Sequence, residues 1–130
     1  MLLDELKRDF PELVFRDGKK FMFKPPKTVF FTTDEANFEM LILHEVAHAM
    51  LKHFDFKTNL ERVRMENEAW EKAKELASRY SVVMDEDLIQ NELDTYRDWL
   101  HKKSRCPKCG LTRFQTSDKE YHCPRCENLT

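Results

Sequence analysis

The spacing of hydrophobic residues predicts a short helix followed by three strands in the first part of the chain. Residues 2–10 place three leucines and a phenylalanine on one side of a helix. Apolar runs at 13–15 and 21–23 flank Asp17-Gly18, which is a common signal for a β-hairpin. A third apolar run at 28–31 is predicted to be another strand.

The next segment has the pattern of a long buried helix. Thr32 and Glu35 have the spacing of a capping box, and the chain continues to about Phe54 without glycine or proline. From Phe38 onward, apolar side chains occupy nearly the whole circumference of a helical wheel. Because a helix that is apolar on most faces is buried, this segment is predicted to be the central helix of the core.

Two further helices are predicted after it. Thr58 and Glu61 form a second capping box, and the helix that they start should run to about Tyr80. A last helix should extend from about Asp85 to Lys103. Its inward stripe comprises Ile89, Leu93, Tyr96 and Leu100. The order of elements therefore predicts an α+β fold.

Composition changes near residue 103. Residues 1–100 carry 15 Lys and Arg against 21 Asp and Glu, whereas residues 101–130 carry 7 against 3 and contain all four cysteines. We therefore expect a larger domain at residues 1–103 and a small basic unit at residues 104–130.

Nothing in the hydropathy pattern indicates a membrane protein. The longest apolar run is four residues, Met40 to Leu43, whereas a spanning helix needs roughly 20. The first residues place acids where a signal peptide needs an apolar stretch. We therefore expect a cytoplasmic protein with no membrane partner.

The first chemical motif is HExxH, formed by His44-Glu45-Val46-Ala47-His48 within the central helix. Residues four apart share a helical face, so both imidazoles can bind one Zn²⁺. Glu45, about 100° round the helix, is then placed to act as a general base on a water molecule at the open fourth position. The alternative is a pair of histidines that are hydrogen-bonded inside a core.

Helical phase selects a third ligand from the following helix. Glu66 lies within the arc of apolar residues on that helix, whereas the other acids lie on the opposite face; these are Glu61, Glu68, Glu71 and Glu75. A buried carboxylate is costly unless it is paired or binds a metal, so Glu66 is predicted to bind the zinc. The alternatives are a buried salt bridge from Glu66 to Arg62, and Glu68 as the ligand if this helix is rotated or kinked.

These motifs resemble the ImmA/IrrE group of zinc metallopeptidases. The resemblance rests on His44–Leu51, on Glu66-Asn67-Glu68-Ala69 and on Ala73, and it covers about residues 28–90. In that pattern the first glutamate binds the metal, which implies Glu66. Trp70 stands where the family has Asn or Asp. The resemblance implies a gluzincin-like fold and cleavage of transcriptional regulators.

SprT-like (Spartan-type) metalloproteases offer a second resemblance. Glu66 lies four residues before Trp70, and the chain ends in Cys123-x-x-Cys126-x-x-Leu129. The third ligand in that family is normally a histidine, whereas this chain has a glutamate there. This resemblance implies action on DNA-bound proteins, and it selects the same third ligand.

The four cysteines form the second chemical motif, a C-x2-C pair repeated after thirteen residues. In an intracellular chain this spacing favours a tetrahedral four-cysteine zinc site over disulfides. The predicted ligands are Cys106, Cys109, Cys123 and Cys126. Four thiolates leave no open position, so this zinc should be structural, and it should make a small zinc ribbon foldable.

Basic and aromatic residues surround these cysteines. Lys102, Lys103, Arg105, Lys108, Arg113, Lys119 and Arg125, with Phe114 and Tyr121 among them, provide a candidate surface for DNA. A solvated basic face that docks on the acidic main domain is the alternative.

Together, the motifs predict a zinc metalloendopeptidase that hydrolyses peptide bonds of an intracellular protein, with one catalytic and one structural zinc. Strand 28–31 is predicted to pair with an extended substrate. Tyr80 is a candidate oxyanion donor, with a core tyrosine as the alternative, and His53 is expected to be a surface or capping histidine rather than a ligand. The other candidate functions are a SprT-like protease and a non-catalytic zinc-ribbon module that binds protein or DNA. Glu45 favours an enzyme, because a structural two-histidine site needs no acid there.

Overall fold

The computed structural model describes residues 1–127. They form a mixed α+β fold with the elements α1 (Leu2–Asp9), β1 (Val14–Asp17), β2 (Met22–Lys24), β3 (Thr28–Phe31), α2 (Phe38–Met50), α3 (Asn59–Tyr80), α4 (Glu86–Ser104), β4 (Phe114–Gln115) and β5 (Tyr121–His122). Leu129, the last position of the SprT-like pattern, lies outside the described residues.

Backbone contacts divide the chain into two compact units. One unit comprises Met1–Phe54 with Glu68–Asp85, and the other comprises Asp55–Asn67 with residues 86–127. Helix α3 is continuous across this division. The domain boundary at residues 103 and 104 stays a prediction.

The first sheet has the order β1-β3-β2, with β3 in its centre. Strand β3 pairs in parallel with β1 and antiparallel with β2. The predicted hairpin between β1 and β2 is therefore wrong. Val29 and Phe31 of β3 are buried, whereas β1 and β2 are only partly buried, so the most apolar strand takes the centre.

Helix α2 begins later than predicted. It starts at Phe38 after the N-cap residue Asn37, so the predicted capping box at Thr32 and Glu35 is wrong. The chain uses residues 32–37 to turn from the end of β3 onto the helix, and the amide of Phe38 donates to the carbonyl of Glu35 at 3.2 Å. The prediction of a buried central helix is confirmed, because seven of its residues are buried: Met40, Ile42, Leu43, His44, Val46, Ala47 and His48.

The C-terminal end of α2 is a Schellman motif. Lys52 has a positive φ of 57°, its amide donates to the carbonyl of Ala49 at 3.2 Å, and the amide of His53 donates to the carbonyl of His48 at 3.0 Å. The helix therefore ends at Met50 rather than near Phe54, and the chain folds back over its last turn.

Helices α3 and α4 match their predicted ranges closely. The amide of Glu61 donates to Oγ1 of Thr58 at 3.1 Å, which confirms one half of the predicted capping box. The carboxylate of Glu61 accepts from the amide of Lys57 at 3.2 Å. The buried face of α3 consists of Ala69, Trp70, Ala73, Leu76 and Ala77. In α4, Ile89 of the predicted inward stripe is buried.

Among the described residues, no helix combines the length and the apolar character that crossing a bilayer requires.

Candidate metal centres

The two histidines of the HExxH motif face each other on α2. Nε2 of His44 and Nε2 of His48 lie 3.2 Å apart, and the side chains are 7% and 9% exposed. Two nitrogens that bind one tetrahedral zinc at 2.0–2.1 Å lie about 3.4 Å from each other. The spacing of these nitrogens therefore fits two adjacent ligands of a single ion.

Glu66 completes the first cluster. One of its carboxylate oxygens, one ring nitrogen of His44 and one ring nitrogen of His48 all lie within 4.8 Å of one another. Glu66 is half-buried, whereas Glu68 on the same helix is exposed. The structure thus brings together the three residues that the sequence selected, and this His2Glu group could hold a metal ion.

Arg62, the alternative partner for Glu66, lies among aromatic rings. Its guanidinium carbon is 5.6 Å from the ring centroid of Phe56, 5.5 Å from that of Tyr96 and 5.1 Å from that of Trp99. These contacts are cation–π interactions and use the faces of all three rings.

Trp70 packs directly on the first histidine. Its indole is 2% exposed and stacks on the imidazole of His44 with the ring centroids 4.0 Å apart and the planes at 22°. This is the position where the ImmA/IrrE pattern has Asn or Asp. A stacked ring restricts the rotation of His44 and so orients its nitrogens. The sequence places Trp70 on the same apolar face of α3 as Glu66, but it does not predict that the indole stacks on His44.

His53 contacts the second histidine. Nδ1 of His53 lies 3.0 Å from Nδ1 of His48, on the ring edge away from His44. His53 is half-buried, and its amide donates to the carbonyl of His48 at the end of α2, which fits the expectation of a surface or capping histidine. Its side-chain contact with His48 is not predicted by a helical wheel that continues α2 past residue 52. The Schellman motif turns the chain before that point. Lys52 occupies the position where a glycine would indicate the end of the helix, so the sequence does not predict this turn.

Glu45 stands beside this cluster on α2. It is half-buried, and it lies about 100° round the helix from His44. Its neighbours in sequence on either side, His44 and Val46, are buried. Glu45 therefore lies at the border between the core and the solvent, where a carboxylate can reach a water molecule.

Tyr80 has a structural role. Its hydroxyl donates to a carboxylate oxygen of Asp9 at 2.6 Å, which ties the end of α3 to α1. Burial and this hydrogen bond raise the pKa of Tyr80 to about 12. The same bond is the main cause that lowers the pKa of Asp9. The structure therefore favours the alternative of a packing tyrosine over an oxyanion donor.

The four cysteines form the second cluster. Sγ of Cys106 lies 3.8 Å from Sγ of Cys126, and Sγ of Cys109 lies 3.6 Å from Sγ of Cys123. All four sulfur atoms lie within 4.8 Å of one another. Four sulfurs that bind one zinc at 2.3 Å lie about 3.8 Å apart in a tetrahedron, so the spacing fits a metal ion.

The environment of these thiols differs from one cysteine to the next. Hydrogen bonds from the backbone amides of Cys109 and Lys108 lower the pKa of Cys106 to about 6. Burial, together with the neighbouring thiols, raises the pKa of Cys126 to about 12. A divalent cation among the four sulfurs would offset the cost of placing several thiolates together, which is why such clusters bind metals.

Turns and a two-stranded sheet frame the cysteine cluster. Gly110 has a φ of 79°, and its amide donates to the carbonyl of Cys106 at 2.9 Å. The positive φ at this turn suits glycine. Strands β4 and β5 pair antiparallel between the two cysteine pairs. Two cysteine pairs on either side of a small sheet in this way could hold a metal ion.

The ribbon is joined to the start of α3 within the same unit. The amide of Asn59 donates to Oε1 of Gln115 at 2.6 Å, and Nδ2 of Asn59 donates to the hydroxyl of Tyr121 at 2.8 Å. The ammonium of Lys119 lies 4.8 Å from the ring centroid of Phe56.

Arg113 is the only half-buried residue among the seven basic residues in and just before the ribbon. It lies over the ring of Tyr121 at 4.8 Å and donates to the carbonyl of Lys103 at 2.8 Å. The other six are exposed: Lys102, Lys103, Arg105, Lys108, Lys119 and Arg125. Phe114 is also 56% exposed.

Comparisons with protein-family models, with curated proteins and with solved structures found no significant match to this chain. The two metal centres therefore depend on the geometry of their own residues.

Proposed function

We propose that the chain is a zinc-dependent metalloendopeptidase with a gluzincin-like catalytic domain and a structural zinc ribbon. The observation that carries this proposal is the His2Glu cluster, in which two facing nitrogens of an HExxH helix meet a half-buried carboxylate from α3. A His2Glu set supplies three ligands and leaves a fourth position open, as in catalytic rather than structural zinc sites.

The residues of the site have two roles in hydrolysis, which are metal binding and proton transfer. His44, His48 and Glu66 would hold the zinc, which when bound supplies a lowered pKa for water and a polarised peptide carbonyl. Glu45 takes a proton from the attacking water as the oxygen bonds to the carbonyl carbon. As the C–N bond breaks, Glu45 gives that proton to the leaving amine nitrogen.

The substrate must lie along a different strand from the one the sequence predicted. Strand β3 is paired on both sides, so it cannot accept a peptide strand. Strand β2 lies at an edge of the sheet, and Phe23 on it contacts Phe54, just after α2, with ring centroids 6.1 Å apart. An extended peptide could add to β2 through main-chain hydrogen bonds.

The family resemblance extends the proposal to the substrate. An ImmA/IrrE-like enzyme would act on a transcriptional regulator, and a SprT-like enzyme would act on DNA-bound proteins. The six exposed basic residues in and just before the ribbon support contact with DNA in either setting.

The test is peptide-bond cleavage by the zinc-loaded protein. Wild type and Glu45→Gln are incubated with a mixture of unfolded proteins, and new N-termini are identified by mass spectrometry. We expect new termini from wild type only, while both proteins hold the same amount of zinc. Equal products from the two proteins, or none from either when both are fully loaded, would contradict the proposal.

A further inference from the structure

His53 lies against the metal cluster but does not belong to it. Its Nδ1 is 3.0 Å from Nδ1 of His48, and the two rings meet edge to face, with centroids 5.2 Å apart and planes at 64°. We propose that His53 is a positioning residue that orients His48 and fixes its proton for metal binding. This inference rests on the metal site of the proposed function.

The two nitrogens of His48 have different partners. Nε2 faces Nε2 of His44 at 3.2 Å, so both Nε2 atoms must present lone pairs if they bind one ion. The proton of neutral His48 must then be on Nδ1, where it can donate to Nδ1 of His53. His53 accepts this bond, so its own proton is on Nε2. Metal-binding histidines generally donate their other N–H to such a partner.

The backbone holds His53 in this place. Its amide donates to the carbonyl of His48 at 3.0 Å, so the same two residues are joined through both main chain and side chain. The turn requires Lys52 at a φ of 57°, a conformation that is costly for a residue with a side chain. A non-glycine residue in such a conformation persists only where the surrounding structure holds it.

Two polar substitutions separate this role from general packing. In His53→Asn the side-chain oxygen can take the place of Nδ1 and accept the bond from His48. In His53→Gln the amide reaches instead toward the place of Nε2. His53→Leu removes the acceptor entirely, and His101→Leu, at an exposed position of α4, is the control for losing a histidine.

The measurement is zinc affinity of the histidine site, by competition with a chromophoric chelator and with the cysteine site kept loaded. We expect His53→Gln and His53→Leu to bind about 10- to 100-fold more weakly than wild type. His53→Asn should stay within about threefold of wild type, because the hydrogen bond is kept. The visible absorption of Co²⁺ at this site should change in the first two variants only.

Two results would overturn the inference. Wild-type affinity and an unchanged Co²⁺ spectrum in His53→Gln would show that His48 needs no partner. Equal weakening in His53→Asn and His53→Gln would show that packing, not the acceptor, matters. If wild type binds no metal at its histidines, the proposed function fails as well, which distinguishes that result from the other two.

Discussion

Replacing Lys52 with glycine should stabilise the protein. The chain has only two glycines, Gly18 and Gly110, and neither ends a helix. Lys52 therefore takes the left-handed position of the Schellman motif after α2, at a φ of 57°. For a residue with a side chain, the left-handed backbone conformation costs about 1–2 kcal/mol. Glycine removes this cost but loses about 0.5–1 kcal/mol through the flexibility of the unfolded chain.

The net effect of Lys52→Gly is a gain of about 0.5–1 kcal/mol in the free energy of unfolding. For a chain of this size, such a gain raises the melting temperature by roughly 2–5 °C. The assay is thermal and urea unfolding followed by far-ultraviolet circular dichroism, with zinc in excess in every sample. Zinc affinity should stay unchanged, because the turn and the contact of His53 are kept.

Two other glycine substitutions serve as matched comparisons, one at the residue after α3 and one in the interior of α3. Ser81 has the same φ of 57°, and the amide of Val82 donates to the carbonyl of Ala77 at 2.9 Å, so Ser81→Gly should also stabilise. Lys74→Gly lies in the helix interior and should cost about 1 kcal/mol. If Lys52→Gly destabilises the protein as Lys74→Gly does, the left-handed turn and the placement of His53 that depends on it are refuted.

Three more predictions concern Trp70, Tyr80 and the cysteine cluster. Trp70→Leu should weaken zinc binding at His44 by about tenfold or more, whereas Trp70→Phe keeps a stacking ring and should bind nearly as wild type, which the same chelator competition measures. The free energy of unfolding should fall as the pH rises from about 10 toward 12. The pKa of Tyr80 is 10.0 in the unfolded chain and about 12 in the folded protein, so the neutral hydroxyl favours folding at low pH. This contribution is lost as the folded group ionises near pH 12. Alkaline unfolding of Tyr80→Phe should lack this part of the loss, and an identical pH profile would contradict the bond to Asp9. Removing zinc with a strong chelator should expose four reactive thiols to a thiol reagent, and Cys106→Ser should expose the other three without chelator.

The sequence predicts both candidate metal-binding clusters because their signals are local. The spacing of His44 and His48 needs only a helix, and the phase of Glu66 needs only the apolar arc of α3. The four cysteines likewise lie in two short repeats. Local patterns of this kind can be recognised without knowledge of the tertiary fold. The structure places the predicted ligands of each cluster close together.

The sequence does not predict the strand order or the contact of His53. The strand order depends on pairing between distant residues, and the contact of His53 depends on a helix end that lacks its usual glycine. Asp17-Gly18 favours a hairpin, but β3 competes for the pairing of β1 because its buried Val29 and Phe31 make it the central strand. The end of α2 carries Lys52 where the helix-stop signal would be glycine, so a helical wheel places His53 on the wrong side. The sequence places Trp70 on the apolar face of α3, but only the tertiary structure shows that its indole stacks on His44.

The most direct test of the two-centre account is the metal content of the purified protein by elemental analysis. Wild type is compared with Glu66→Gln, with Glu68→Gln as the matched control on the exposed face of α3, and with Cys106→Ser. We expect two zinc ions per chain in wild type and Glu68→Gln, and close to one in Glu66→Gln and Cys106→Ser. One zinc in wild type that survives Glu66→Gln and disappears in Cys106→Ser would contradict it, and would leave a zinc-ribbon protein without a catalytic centre.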